Sequence, residues 1–249
     1  ASAIVTGAEK NLIQELQTLS IRELVVPEQL FVLLSDLAEA NSILLSIEET
    51  AIESLIDESF IEQMPQDVHG VCHRLVNDLH RTQKRSLDHI QAFQYQEREE
   101  LLSIDFHSKR NLELVQSLRG GDQKGSLYWL LDETMTSMGG RKLKQWLHQP
   151  LANRVKIEER LEIVTEMLEA YFVRADIRES LKEVYDLERL IGRISFGTAS
   201  GRDLSQLRQS LLQIPLIKEQ LKESTKPALI KAAQQLDECV ELLSLLKEA

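Results

Sequence analysis

The chain has 249 residues, 43% of them apolar, and its 40 carboxylates outnumber its 29 Lys and Arg to give a net charge of −11. That balance excludes a protein that grips a polyanion over most of its surface, because phosphate binding is driven by Lys and Arg releasing counterions. No stretch approaches roughly 18 consecutive apolar residues, no secretory signal opens the chain, and Cys72 and Cys239 carry no partner motif, so a reducing, cytoplasmic setting without a membrane partner is expected.

The first 48 residues alternate between short apolar runs and helical patterns. Ala3–Thr6, Glu23–Val26 and Ser42–Leu45 read as strands, with Asn11–Leu19 and Leu30–Ala38 as the helices between them. Strands alternating with helices of about ten residues predict a parallel β-α-β sheet. Three strands are few for such a sheet, so residues 1–66 are expected to be the C-terminal part of an α/β domain. The chain also opens on Ala, part-way into an apolar run, as an excised fragment would. The acidic stretch 49–66 reads as a solvated helical linker ending near Pro65.

From residue 67 onward the pattern is helical. Val71, Leu75, Leu79, Leu87 and Ile90 keep 3–4 spacing and predict one amphipathic helix of roughly 30 Å. Leu101–Phe106 and Asn111–Val115 read as two short strands. Ser126 predicts an N-cap for a helix Leu127–Asp132, since its hydroxyl can satisfy a free amide at the helix start. Arg141–Leu147 follows, ended by Pro150. Asn153 and Asp186 are placed to cap two further helices, the first with Ile157, Leu161, Val164 and Leu168 on one face, the second closed by Gly197. Asp203–Ile214 is expected to stop at Pro215, and a last helix to start at Pro227 and run on through Leu236, Val240 and Leu243. The predicted fold is mainly α: a helical core (lever) domain over 67–249 behind a partial α/β domain, with two short strands near 101–115.

Directions change most often between Asp105 and Arg154. This stretch holds both Gly-Gly pairs, Gly120–Gly121 and Gly139–Gly140, both tryptophans, Trp129 and Trp146, and Pro150. Glycine and proline interrupt regular elements, so a junction is expected here from which longer helices leave. Gly139, Gly140 and Pro150 are expected to shape it, and Leu131, Leu143 and Trp146 to pack it.

Candidate chemistry is sparse. Gly120–Ser126 comes nearest to a phosphate loop, but Lys124 precedes Gly125 where a P-loop places Lys after its second glycine, so a turn leading into a helix is expected. His69, Cys72 and His73, at i, i+3 and i+4, could present metal-competent groups on one helix face, with His80 as a fourth. A structural zinc site usually shows two separated ligand pairs, and Cys72 reads as a small buried apolar residue. No carboxylate pair stands beside a nucleophile or base. No catalytic residue, metal or cofactor is therefore expected in this chain. Basic residues concentrate at His80, Arg81, Lys84, Arg85, Lys109, Arg110, Lys124, Arg141, Lys142 and Lys144. Few aromatics interleave with them, so ion pairs to carboxylates such as Asp88, Glu113 and Asp132 are expected ahead of a nucleic-acid surface.

Several motifs recur in a set order. Ser108-Lys109-Arg110-Asn111-Leu112-Glu113-Leu114 is followed by Gly125-Ser126-Leu127 with Leu130-Leu131-Asp132-Glu133-Thr134. Then come Met138-Gly139-Gly140-Arg141 with Leu143 and Trp146, and Pro150-Leu151. Thr82-Gln83-Lys84-Arg85 precedes them, and Tyr185-Asp186-Leu187-Glu188-Arg189-Leu190 and Arg202-Asp203-Leu204 follow. The series resembles the core domain of the bacterial DNA mismatch-repair family MutS, closely over residues 80–215 and more loosely over 1–60.

The resemblance implies a modular repair ATPase that works as a homodimer on mismatched DNA, with other repair proteins such as MutL. In that family an N-terminal domain reads the mismatch through a Phe-x-Glu motif, and a connector leads to a helical core with long levers. A clamp at the lever tips holds the DNA backbone, and a C-terminal domain binds ATP and Mg. This chain then reads as a piece, the end of the connector (1–66) plus the outgoing core (67–249), with no DNA-binding or ATP-hydrolysing residues to carry over. Arg110, Asn111, Glu113, Gly125, Ser126, Leu131, Asp132, Gly139, Gly140, Arg141, Leu143, Trp146 and Pro150 would form its structural junction, about which packed helices shift as rigid bodies. A free-standing helical protein-protein interaction module sharing these motifs is the alternative. Loss of a returning lever would expose apolar surface at Leu236, Val240 and Leu243, and self-association is expected there.

Overall fold

The computed structural model describes residues 21–49, 59, 61–62, 64–83, 87, 93, 101–102, 104–224 and 226–248. The expected strand Ala3–Thr6 and helix Asn11–Leu19 lie outside these residues, as does most of the acidic stretch. The described residues gather into two units, one formed by those up to 93 with 105–107, the other by the remainder.

The first unit is a parallel β-α-β turn with a helix laid on it. β1 (Glu23–Val26) and β2 (Leu44–Ile47) pair in parallel, Glu23 opposite Leu44 and Val26 opposite Ile47. Between them runs α1 (Glu28–Ala40), started by Pro27. Proline suits both roles at that point, having no amide to offer a ladder and a φ already fixed near the helical value. Val26 and Leu34 are buried, with Leu24, Leu30, Leu37 and Leu45 packed around them. α2 (Gln66–Gln83) opens directly after Pro65 and runs through Gly70, several residues before the expected start at Val71. Its buried stripe of Val68, Cys72 and Val76 packs with Ile61. Two arginines tie α2 to the end of β2: Arg74 Nε donates to the Glu48 carbonyl at 2.7 Å, and Arg81 Nε to Glu48 Oε2 at 3.2 Å.

The second unit is helical. It comprises α3 (Phe106–Asn111) from Ser108 onward, α4 (Leu127–Leu131), α5 (Ser137–His148), α6 (Arg154–Glu169), α7 (Tyr171–Lys182), α8 (Leu187–Ser195), α9 (Gly201–Glu223), α10 (Pro227–Gln234) and α11 (Val240–Glu248). Asn153 and Asp186 cap α6 and α8 as expected, and Gly197, at φ +67°, closes α8. The two short strands near 101–115 are corrected. Leu101 makes a single antiparallel bridge to Leu151, Phe106–Asn111 is helix, and residues 112–118 are turns. The reason is local: Leu112 N donates to the Ser108 carbonyl at 2.9 Å, and Glu113 at φ +48° reverses the chain, which an extended run does not allow.

α9 is the spine, about 35 Å long for its 23 residues. It does not stop at Pro215. A proline inside a helix costs about 3 kcal/mol, yet Leu207 and Leu211 before it and Leu221 after it are buried, and each contributes about 1.5–3 kcal/mol. Packing on both sides outweighs the break. The N-terminal half of α9 meets α8 and α11 through Leu190, Leu207, Leu211 and Leu243; its C-terminal half meets α7 and α10 through Leu221, Ile177, Leu229 and Ala233.

Two more expectations change. The last helix is not continuous: Asp237 Oδ1 accepts from Cys239 N at 2.9 Å, and Cys239 sits at φ +49°, so α11 folds back. Leu243 is thereby buried and Leu236 packs in the neighbouring cluster, so the apolar surface expected at these residues is covered within the unit, while Val240 stays exposed. On α6 the expected face is largely exposed, only Ile157 of its four residues being half-buried. Leu161, Val164 and Leu168 are exposed, whereas Met167 packs inward and Glu166 Oε2 accepts from Leu229 N at 3.1 Å.

Candidate functional site at the glycine-rich junction

The junction begins with a turn that closes off a helix start. Ser126, 2% exposed, accepts from Trp129 N at 3.2 Å through its hydroxyl, which donates in turn to the Gln123 carbonyl at 2.6 Å. The other two free amides of α4 are taken by the preceding turn: Leu127 N donates to Glu113 O at 3.0 Å and Tyr128 N to Leu114 O at 2.8 Å. Glu113 also accepts from Leu118 N at 2.6 Å through Oε1, which pins the turn from its far side. Gly125, at φ +91°, provides the left-handed step that brings Ser126 back onto the turn. Each orphan donor at the start of α4 thus has a partner.

Beyond α4 the chain makes a polar knot. Asp132 Oδ1 accepts from the Thr134 hydroxyl at 2.6 Å and from Thr134 N at 3.3 Å. Thr134 chiefly, and then the Tyr128 hydroxyl, hold the Asp132 carboxyl below the usual carboxylate range; the same carboxylate pushes the Tyr128 phenol up. Thr136 caps α5, its Oγ1 accepting from Gly139 N at 3.0 Å. Gly139 and Gly140 lie inside the first turn of α5, so their expected role as direction-changers is corrected. What they provide is closeness. A Cβ on Gly140 would stand 3.1 Å from Tyr128 Oη and 3.4 Å from both Asp132 Oδ2 and Thr134 Oγ1, and one on Gly139 would stand 3.1 Å from Thr134 Cβ.

One residue further along α5, Arg141 spans to another part of the unit. Its Nη1 and Nη2 donate to Asp186 Oδ2 and Oδ1 at 2.8 and 2.7 Å, and its Nε and Nη2 to Glu188 Oε2 at 2.9 and 2.6 Å. Asp186 is also the N-cap of α8, accepting from Arg189 N at 3.3 Å. Its carboxyl is held well below the usual range, first by Arg141. Next to it, Tyr185 N donates to the buried Ser210 hydroxyl of α9 at 2.9 Å. A second tie runs from Arg178 Nη1 on α7 to the Glu133 carbonyl at 3.1 Å.

The remaining expected residues are spread around this framework. Arg110 and Asn111 are exposed at the end of α3, the Arg110 carbonyl accepting from Glu113 N at 3.0 Å. Pro150 O accepts from Leu102 N at 2.8 Å, and Leu143 is half-buried. Leu131 and Trp146 do not pack the junction. They are 48% and 40% exposed, and the Trp146 ring carries the Arg160 guanidinium 3.9 Å from its centroid. Arg141 and Arg81 find carboxylates, but Asp186, Glu188, Glu48 and Asp78 rather than Glu113 or Asp132. Thr136 was legible in principle, as a Thr three residues before the amide it caps. Tyr128, Ser210 and Arg178 left no signal in spacing.

The loop expected not to hold nucleotide has two of its amides engaged internally. Gly121 N donates to Ser117 O at 3.1 Å and Ser126 N to Gln123 O at 3.0 Å, and the helix behind is capped as above, so its first amides are taken within the chain. His73 and Cys72 are buried in the first unit and His69 Nε2 lies 3.1 Å from the Met64 carbonyl. Among the described residues no three His, Cys, Asp or Glu are grouped to hold a metal, and no helix is long and apolar enough to cross a membrane.

A family model described as MutS domain III matches residues 107–249. The chain belongs to the MutS domain III family. It is similar to the DNA mismatch repair protein MutS of Lysinibacillus sphaericus, 51% identical over 247 residues and 98% of this chain. The same-named proteins of Listeria welshimeri and Bacillus subtilis are each 43% identical, over 250 and 249 residues, or 100% and 99% of this chain. The chain spans about 29% of the length of each of these relatives. The MutS domain III match opens within α3, and every residue of the Arg141 bridge lies inside it. A Phe-x-Glu tripeptide does occur, at Phe60-Ile61-Glu62, but its central Ile61 is packed in the core of the first unit.

Proposed function

We propose that this chain is the structural and allosteric core segment of a DNA mismatch-recognition and repair protein. It would couple parts that hold mismatched DNA to an ATPase part carried elsewhere in the longer protein, and itself perform no reaction. The observation that carries this role is that mismatch repair proteins align with 98–100% of the chain, the α/β part included, at 43–51% identity. A free-standing interaction module sharing only the core motifs would not extend the likeness over the first unit as well. ATP and Mg are assigned to the remainder of the longer protein, since Lys124 precedes Gly125 where a P-loop places Lys after its second glycine. A homodimer, MutL as a repair partner and a cytoplasmic setting belong to the same proposal. The division into connector and core is kept. The core is taken to begin near α3, because α2 packs with the β-α-β unit.

Replacement tests it. The corresponding 29% of the Lysinibacillus sphaericus protein is exchanged for this chain, and the chimera is expressed in a host that lacks its own mismatch repair protein. Spontaneous mutation rate is expected to fall to the level given by the unmodified relative. A rate equal to that of the empty host, with the chimera folded and present, refutes the role.

A further inference from the structure

Arg141 joins two assemblies that are otherwise separated by about 45 residues of chain. Behind it lies the α4–α5 knot of Tyr128, Asp132, Thr134 and Gly140; ahead lie α8 and the spine α9. We infer that Arg141 is a positioning residue through which displacement of the α4–α5 knot is passed to α9, with Asp186 receiving it and Ser210 handing it on. This rests on the coupling role proposed above and names the residues that carry it.

The geometry sets a direction. Arg141 donates four hydrogen bonds to two carboxylates, and a planar guanidinium can do so in one orientation only. The inner half of the bridge is sheltered, the Asp186 side chain being 17% exposed against 67% for Glu188, so salt screens the outer half first. Asp186 Oδ1 receives both Arg141 Nη2 and the capping amide of Arg189, so a shift of the guanidinium is felt at the first turn of α8. Tyr185, the next residue back, is fastened to Ser210, whose hydroxyl gives its proton to Gln206 O at 2.9 Å and accepts from Tyr185 N with a lone pair. Ser210 lies on the same face as Leu207 and Leu211, so it holds the chain at the centre of the α8–α9 contact. The tie from Arg178 to Glu133 O keeps α7 in step from the other side of the knot.

The readout is mismatch dependence of ATP turnover in the chimera, taken as the ratio of rates on mismatched and matched duplexes. Arg141→Lys keeps the charge and loses the fork; Ser210→Ala breaks the hand-over. Each is expected to lower the ratio at least about fivefold, and the double variant no further than the larger single change. Turnover on matched duplex and affinity for duplex stay as in the parent. Leu243→Ala, which loosens the same core without touching the path, keeps the ratio. Retention of the full ratio by Arg141→Lys, additive effects in the double variant, or an equal loss in Leu243→Ala overturns the inference. If Arg141→Lys fails to fold, Ser210→Ala reads the same path from its other end. A chimera without any mismatch dependence before substitution overturns the proposed function and this inference with it.

Discussion

Gly140→Ala is the sharpest probe of the junction, because two calculable effects oppose each other. An alanine in a helix interior is favoured over glycine by about 1 kcal/mol. Here its methyl would stand 3.1 Å from Tyr128 Oη and 3.4 Å from two further oxygens, Asp132 Oδ2 and Thr134 Oγ1. The Asp132 carboxylate accepts from both Tyr128 and Thr134, so none of the three can retreat alone, and the most exposed to pressure is the Tyr128 bond to that carboxylate. Hydrogen bonds to charged groups contribute about 1.5–3 kcal/mol, so the net cost is about 1 kcal/mol, or 2–4 °C for a chain of this size. Urea unfolding followed by tryptophan fluorescence reads it directly, since Trp129 and Trp146 both belong to the second unit. In a Tyr128→Phe background the obstruction is gone, and Gly140→Ala is expected to become neutral or stabilising. Gly192→Ala on α8, where an added Cβ meets nothing within 4 Å, should stabilise by up to about 1 kcal/mol. If Gly140→Ala proves as stable as Gly192→Ala, close approach is not why glycine stands there.

Three further outcomes are expected. Ser126→Ala removes the cap of α4 and the hydroxyl's bond to the Gln123 carbonyl, which keeps only the Ser126 amide, costing about 1–2 kcal/mol by urea titration. Because Asp186 and Asp132 titrate below the usual carboxylate range in the folded chain, their contribution is complete above about pH 4 and is lost as pH falls through the folded values. The fall in stability on acidification should therefore be shallower in Asp186→Asn, which an acid titration of the urea midpoint checks. Trp146→Ala should cost only about 1–2 kcal/mol, below the 3–5 of a buried tryptophan, since it gives up partial burial and one cation–π contact; a loss of the larger size would place Trp146 in a core.

What could be read from the chain was what local chemistry decides. Ser126, Asn153 and Asp186 could be assigned as caps because a short oxygen-bearing side chain before an apolar run has one favourable use there. The parallel pairing of Glu23–Val26 with the strand after α1 was legible for the same reason, from apolar runs with a helix between them. Failures came where tertiary packing outweighed a local rule. Pro215 sits inside α9 because leucines on both sides are buried, and Leu161, Val164 and Leu168 are exposed although their spacing is that of a core stripe. The two strands near 101–115 were lost to backbone turns whose carbonyls serve the start of α4, an arrangement no periodicity reveals. In the junction, the cap at Ser126 was read correctly, but the roles of several other named residues were not. Gly139 and Gly140 give closeness inside a helix, Trp146 stands at the surface, and the partners of Arg141 lie 45 and 47 residues away.

The central claim is that this chain transmits between distant sites and carries out no chemistry itself. Its most direct test is the ratio of ATP turnover on mismatched and matched duplexes, measured on the purified chimera beside the unmodified relative. The account predicts the same ratio for both proteins. A chimera that binds duplex and hydrolyses ATP, but at equal rates on the two duplexes, would contradict it.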